Sequence, residues 1–260
     1  MLLNNHFYEE LITMINNNER LSNLTRLLRE MKMSVMADHL SDIYTNQSNQ
    51  NLSTLDILEK IITEESDTRS RNKKERYRKA ANLSVINARL ENLIYSSKRK
   101  LKPETIEQLS TNSYILSNNN VIIQGATGTG KSYIACALIN HAIDNGYTGL
   151  FFRMTDLLSK LQQADYNNSL DRLLKKISRT DILVIDDFLL TNTTEQEQKY
   201  LMEVFEIRSR EKSLILCSQM TSVEWHKKLG GGAIADAILD RAVSKSYKIF
   251  LEGESLRKIN

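Results

Sequence analysis

Residues Gly125 to Ser132 read Gly-Ala-Thr-Gly-Thr-Gly-Lys-Ser, a full match to the phosphate-binding pattern G-x-x-x-x-G-K-[ST]. Gly125, Ala126, Thr127, Gly128, Thr129 and Gly130 supply a loop whose backbone N–H groups can close around a triphosphate. Lys131 then reaches the β- and γ-phosphates, and the Ser132 hydroxyl ligates Mg²⁺. The flanks agree with this chemistry. Val121–Gln124 is a short apolar run of strand type, and Tyr133–Ile139 continues with helical spacing. The loop therefore precedes a helix N-terminus, whose dipole favours negative charge. The expected ligands are ATP and Mg²⁺.

A second constellation lies downstream. Asp181–Asp187 reads D-I-L-V-I-D-D, an apolar strand ending in two acids. Such a strand aims its carboxylates at the carboxyl edge of an open α/β sheet, where ligands bind. Asp186 is expected to hold Mg²⁺, directly or through water, and Asp187 to orient or deprotonate the attacking water. Lys131 and Asp186 are 55 positions apart, room for one whole strand–helix unit. An inserted strand of this kind marks ATPases that convert hydrolysis into movement or assembly. Leu214–Cys217 is the next strand and ends in Ser218-Gln219. Gln219 is placed either to touch the γ-phosphate and the attacking water or in a plain turn. Arg241 ends the helical run Ala235–Arg241. It either caps the helix C-terminus or serves as an arginine finger to the ATP of a neighbouring subunit.

These residues need a scaffold, and the pattern of the chain supplies one. Beyond Pro103, the only proline, strands and helices alternate through Gly149–Arg153, Ile182–Asp186, Leu214–Ser218 and Tyr247–Leu251. Alternation implies a parallel sheet flanked by helices. Residues 1–100 contain neither glycine nor proline, and their apolar residues recur at helical spacing. Leu24, Leu27, Leu28 and Met31 form one stripe; Leu55, Leu58, Ile61 and Ile62 form another, behind a capping box at Ser53 and Asp56. Residues 45–51 read as a loop. A last helix is expected to carry a basic block and to continue through Leu83, Ile86, Leu90, Leu93 and Ile94. The chain thus divides into an all-α domain, 1–100, and an α/β P-loop domain, 101–260.

Charge is unevenly placed. The net charge is only +3, yet seven of the eleven residues from 69 to 79 are basic: Arg69, Arg71, Lys73, Lys74, Arg76, Arg78 and Lys79. Lys98, Arg99, Lys100 and Lys102 follow. Both groups read as lying outside the nucleotide-binding core, on one basic helix surface suited to a phosphate backbone. No apolar stretch reaches the length of a membrane span. The N-terminus lacks the features of a signal peptide. Cys136 and Cys217 lie in apolar runs and read as core residues of a reducing compartment, the cytoplasm. The four histidines have no partners at metal-ligand spacing.

Trp225-His226-Lys227-Lys228-Leu229-Gly230, then Ala235–Arg241 (ADAILDR), then Gly253–Lys258 (GESLRK) resemble the IstB family. These are ATP-binding helper proteins of bacterial insertion sequences, of the AAA+ class and close to DnaC-type helicase loaders. The resemblance runs from about Leu24, through L-L-R-E-M-K-M-S-V-M-A-D-H-L, to the C-terminus. It implies an N-terminal helical DNA-binding domain, ATP-dependent assembly of subunits on duplex DNA, and recruitment or stimulation of a partner transposase. By matching motif, Gln219 falls on sensor I, Arg241 on the arginine finger and Arg257 on the terminal arginine of GESxR, where it would contact nucleotide. Two positions depart from the family. Leu189 stands where a glycine usually follows the aromatic Phe188, and Met220-Thr221 stand where proline is common. With so short a stretch after Gly253–Lys258, no full helical lid is expected. The resulting expectation is a DNA-assembling ATPase that aids transposition, forming a homo-oligomer. A helicase loader with single-stranded DNA as ligand is the alternative, and a scaffold that holds ATP without turnover a third reading.

Overall fold

The computed structural model describes residues 17–45, 53–209 and 211–256. Arg257 and residues 46–52, the larger part of the expected loop, lie outside the described residues. The chain separates into two units, Met1–Lys73 and Lys74–Asn260.

In the first unit residues 17–30 (α1) are helical, followed by α2 (Ser34–Thr45) and the start of α3 (Thr54–Ala81). The expected capping box opens α3: the Asp56 N–H donates to Ser53 Oγ at 3.2 Å, and the Ser53 N–H to Asp56 Oδ2 at 3.1 Å. Glu65 of α3 receives the N–H groups of Val35 and Met36 at 3.0 and 3.1 Å, neutralising orphan donors at the start of α2. The apolar stripes behave differently from expectation. Ile61 is buried, but Leu55, Leu58, Ile62, Leu24, Leu27 and Met31 are exposed.

The second unit is built on a five-stranded parallel sheet. Its strands are β1 (Asn120–Gly125), β2 (Gly149–Arg153), β3 (Ile182–Asp186), β4 (Ser213–Ser218) and β5 (Ser246–Leu251), in the order β2-β3-β4-β1-β5. The strand lying between β1 and β3 is therefore β4, and β2 forms an outer edge. β1 and β3 are apolar without alternation because helices cover both faces of the sheet. Ile182, Leu183, Val184 and Ile185 are all fully buried, each contributing about 1.5–3 kcal/mol. The helices are α4 (Pro103–Ser110), α5 (Ser113–Leu116), α6 (Lys131–Asp144), α7 (Met154–Tyr166), α8 (Leu170–Arg179), α9 (Glu195–Arg208), α10 (Ser222–Lys228) and α11 (Gly232–Val243). Cys136 and Cys217 are free and buried in the core, and burial pushes both thiols up.

Two boundaries differ from expectation. The units divide between Lys73 and Lys74, inside α3, instead of near Pro103. The helix also stops at Ala81, because Asn82 takes a left-handed conformation (φ 55°), and does not run on through Ile94. The following segment is a run of turns and two short 3₁₀ helices, Leu90–Asn92 and Ser97–Arg99, and packs onto the core of the second unit through Ala88, Leu90, Leu93 and Leu101. Asn140 on α6 pins it, donating to the carbonyls of Ile86 and Ala88 at 2.9 Å each.

Candidate nucleotide site

The P-loop lies between β1 and α6 as its pattern requires. Gly128 and Gly130 adopt φ of 82° and 93°, and a Cβ on Gly130 would stand 2.6 Å from the Arg99 guanidinium. No side chain caps the start of α6 at Gly130, which leaves its first N–H groups for an anion. Lys131 Nζ donates to the carbonyls of Gly125 and Ala126 at 2.8 Å each, folding the ammonium back over the loop.

Register brings the acids to this loop. β4 intervenes between β1 and β3, and Ser132 Oγ donates to Asp186 Oδ2 at 2.6 Å. Asp186 is 3% exposed, and its other oxygen, Oδ1, is buried without a hydrogen-bond partner. Burial pushes this carboxyl above the usual carboxylate range, against the Ser132 bond, and the charge of Asp187 adds to the shift. An orphaned buried carboxylate oxygen beside a serine hydroxyl is a donor set that fits Mg²⁺.

Asp187 follows at the rim, half-buried, with φ 53°. Gln219 directly follows β4 and accepts a hydrogen bond from Thr127 Oγ1 of the P-loop at 2.7 Å. Thr127, Gly128, Gly130, Lys131, Ser132, Asp186, Asp187 and Gln219 all line one cavity of ≈ 410 Å³. Val85, Leu93, Ile94 and Leu256, beside Asn92 and Tyr133, add apolar lining to the cavity that suits a flat heterocycle.

Arg241 lies elsewhere. Its guanidinium donates to Ala237 O at 2.9 Å and pairs with Glu206 on α9. Arg99, counted by sequence among the cations outside the nucleotide core, is instead 5% exposed in the wall of the cavity. It donates to Ile94 O and Thr129 O, both at 2.7 Å, and so ties the segment around Ile94 to the P-loop. Arg153 was not anticipated either. It ends the apolar run G-L-F-F-R, stands in register with Asp186 and lines the cavity. A charge closing an apolar strand was the available signal, the same one that marks Asp186.

The basic block is also rearranged. Side chains on a helix turn by about 100° per residue, so Arg69, Lys73 and Arg76 leave one side of α3 and Arg71, Lys74 and Arg78 the other. The block does not form a single face. Arg69 donates to Glu65 at 2.5 Å and to Lys32 O at 2.6 Å; Arg71 reaches Thr68 at 3.3 Å; Arg78 pairs with Asp144. Arg76 and Lys79 are exposed. Arg76 joins four cations on one side of α8, Arg172, Lys175, Lys176 and Arg179, around a groove with no carboxylate in its lining. Their spacing of i, i+3, i+4 and i+7 was the signal in the sequence.

A parallel sheet in this order, with P-loop and paired acids at its carboxyl edge, defines a P-loop ATPase fold of the AAA+ class. Solved structures share it: the DnaC helicase loader superposes with TM-score 0.51 and 16% identity, covering 64% of this chain and 97% of that one. Replication initiator DnaA, bound to AMPPCP and single-stranded DNA, gives 0.53 and 20%, covering 64% and 50%. The chain belongs to the IstB-like ATP binding protein family, which matches residues 26–260. A putative insertion sequence ATP-binding protein of Sinorhizobium fredii is 31% identical over 90% of this chain and 94% of its own length. The insertion sequence IS21 putative ATP-binding protein of Pseudomonas aeruginosa is 26% identical over 89% and 87%. Among the described residues no helix is long and apolar enough to cross a membrane.

Proposed function

We propose that this chain is an Mg²⁺-dependent ATPase that assembles on duplex DNA in its ATP-bound state and recruits or stimulates a transposase. The observation that carries the ATPase reading is the clasp of Ser132 on a buried, half-satisfied Asp186 beside Lys131. Ser132 and Asp186 would hold Mg²⁺, which neutralises charge on the phosphates when bound. Lys131 and the start of α6 bind the triphosphate, and Asp187 orients the attacking water with Gln219 beside it. Arg257 would add a nucleotide contact from the tail.

Arg241 would complete the site of a neighbouring copy, leaving its pairing with Glu206 to do so. DNA would be met through phosphate contacts alone. The exposed Arg76 and Lys79 and the cations of α8 suit this, with the rest of the Arg69–Lys79 block following. The names of the relatives supply the insertion-sequence context.

Duplex and single-stranded oligonucleotides of matched sequence test the reading, with ADP or a nonhydrolysable ATP analogue present. Duplex preference, and growth into large complexes only with the analogue, is expected. Preference for single strands without assembly on duplex would point to a helicase loader. Equal binding with either nucleotide and no turnover would point to a passive scaffold.

A further inference from the structure

Ser218 precedes Gln219, and its side chain is fully buried. Its Oγ donates to Phe188 O at 2.7 Å and accepts from Trp225 Nε1 at 2.9 Å and from the Met220 N–H at 3.1 Å. A hydroxyl has one donor and two acceptor sites, so all three are used. The two N–H donors occupy the lone pairs and leave the hydroxyl proton directed at Phe188 O.

Phe188 is the residue after Asp187. Asp187 is held at φ 53°, where a residue with a Cβ costs roughly 1–2 kcal/mol. What holds it is Phe188, fixed at three points. Its N–H donates to Cys217 O at 2.8 Å, its carbonyl accepts from Ser218, and its ring meets Trp225 edge-on at 5.1 Å. On the other side of Ser218, Gln219 is bonded to Thr127 of the P-loop. One hydroxyl thus stands between Asp187 and Gln219, the acid and the amide assigned above to the attacking water and the phosphates.

We propose that Ser218, oriented by Trp225, is a positioning residue for ATP hydrolysis. It keeps Asp187 and Gln219 in fixed relation, and it links nucleotide at Gln219 to helix α10 through the Trp225 indole. The proposal rests on the ATPase reading above. It assigns no chemistry to Ser218 itself.

The test uses the full chain with Mg²⁺, ATP and duplex DNA, comparing wild type with Ser218→Ala, Trp225→Phe and the double variant. Misplacing a reacting group lowers turnover by about 10- to 100-fold, and this is the loss in kcat expected for Ser218→Ala, with ATP affinity within about twofold of wild type. Trp225→Phe keeps most of the ring and loses the donor, so its loss is smaller. The double variant should lose no more than Ser218→Ala, since the two side chains act as one unit. Wild-type kcat in both single variants overturns the proposal, as does a parallel fall in kcat and affinity, which is what a merely structural role would give.

Trp225 is the only tryptophan in the sequence, so emission supplies a readout without turnover. ATP should shift the emission of wild type and not that of Ser218→Ala. If wild type does not hydrolyse ATP, the ATPase reading fails, and this emission still decides the linkage. A shift that Ser218→Ala abolishes upholds it, and no shift in wild type overturns it.

Discussion

Asp181 leads into strand β3 and Asp186 ends it, and the two carboxyls are displaced in opposite directions. Burial opposes the charge of Asp181, but Lys212 at 2.7 Å and the N–H and hydroxyl of Thr148 at 2.9 and 2.8 Å outweigh it, and its pKa is lowered. Asp186 is raised by burial, with the charge of Asp187 adding to it, and the bond from Ser132 and the charge of Lys131 do not offset the shift. The contrast extends along both edges of the sheet. At the amino edge the buried Arg208 guanidinium is spread over four carbonyls, of Ile177, Thr180, Asp181 and Ser213. Asn120 there accepts from the Leu214 N–H and donates to the carbonyls of Arg241 and Ala242. At the carboxyl edge an aspartate oxygen lacks a partner, and Asp187 and Leu189 are held at positive φ. Arg208 Nε is also buried without a partner, and Asn118 and Lys245 at the amino edge take positive φ too. What sets the carboxyl edge apart is that its orphaned oxygen belongs to a residue lining the cavity beside the P-loop.

The largest effect expected separates the edges by stability. Arg208→Met strands four buried carbonyls, so unfolding free energy should fall by about 3 kcal/mol or more, with ATP affinity of the folded protein unchanged. Denaturant unfolding and nucleotide titration check the two halves. Lys131→Ala should do the reverse. A charge-assisted bond is worth about 1.5–3 kcal/mol, so ATP affinity should drop roughly 10- to 100-fold, while stability without nucleotide, which loses two carbonyl contacts against four, falls less than in Arg208→Met.

pH sharpens the same comparison. Asp181 has its folded pKa below the unfolded value, so its contribution is present above the unfolded value and is lost as pH falls through the folded one. Asp186 has the opposite sign. Its folded form binds the proton more tightly, so stability falls as pH rises from the unfolded pKa to the folded pKa. Comparing pH–stability profiles of Asp181→Asn and wild type should show the acid-side loss disappear in the variant. The smallest effect is at the α8 groove. Lys175→Ala with Lys176→Ala should reduce the salt slope of duplex binding by about one to two, across all sequences alike. An unchanged slope would remove this groove from the DNA-binding surface.

Most of the second unit was readable because its motifs are local. The P-loop, the D-I-L-V-I-D-D strand and the edges of β2 and β5 follow from residue order, and the structure places each within a residue or two. What residue order could not carry was decided by tertiary partners. The buried Asn140 holds residues 86–88 in a turn where periodicity continued a helix. Arg99 looks like one cation among several until the carbonyls of Ile94 and Thr129 claim it. The Arg69–Lys79 run is conspicuous as composition, but helical geometry disperses it, and ion pairs to Glu65 and Asp144 occupy two of its members. Leu189 sits at φ 54°, where the resemblance leads one to expect glycine; its full burial and an N–H contact to the Met154 sulfur at 2.9 Å hold it there.

The most direct measurement is thermal unfolding of wild type, Asp186→Asn and Asp181→Asn, each with and without Mg²⁺ and ATP. Asp186→Asn should melt at or above the wild-type temperature without ligand and gain nothing from Mg²⁺ and ATP. Asp181→Asn should melt lower and still gain as wild type does. A ligand-free Asp186→Asn as unstable as Asp181→Asn, or one still stabilised by Mg²⁺ and ATP, would contradict the account.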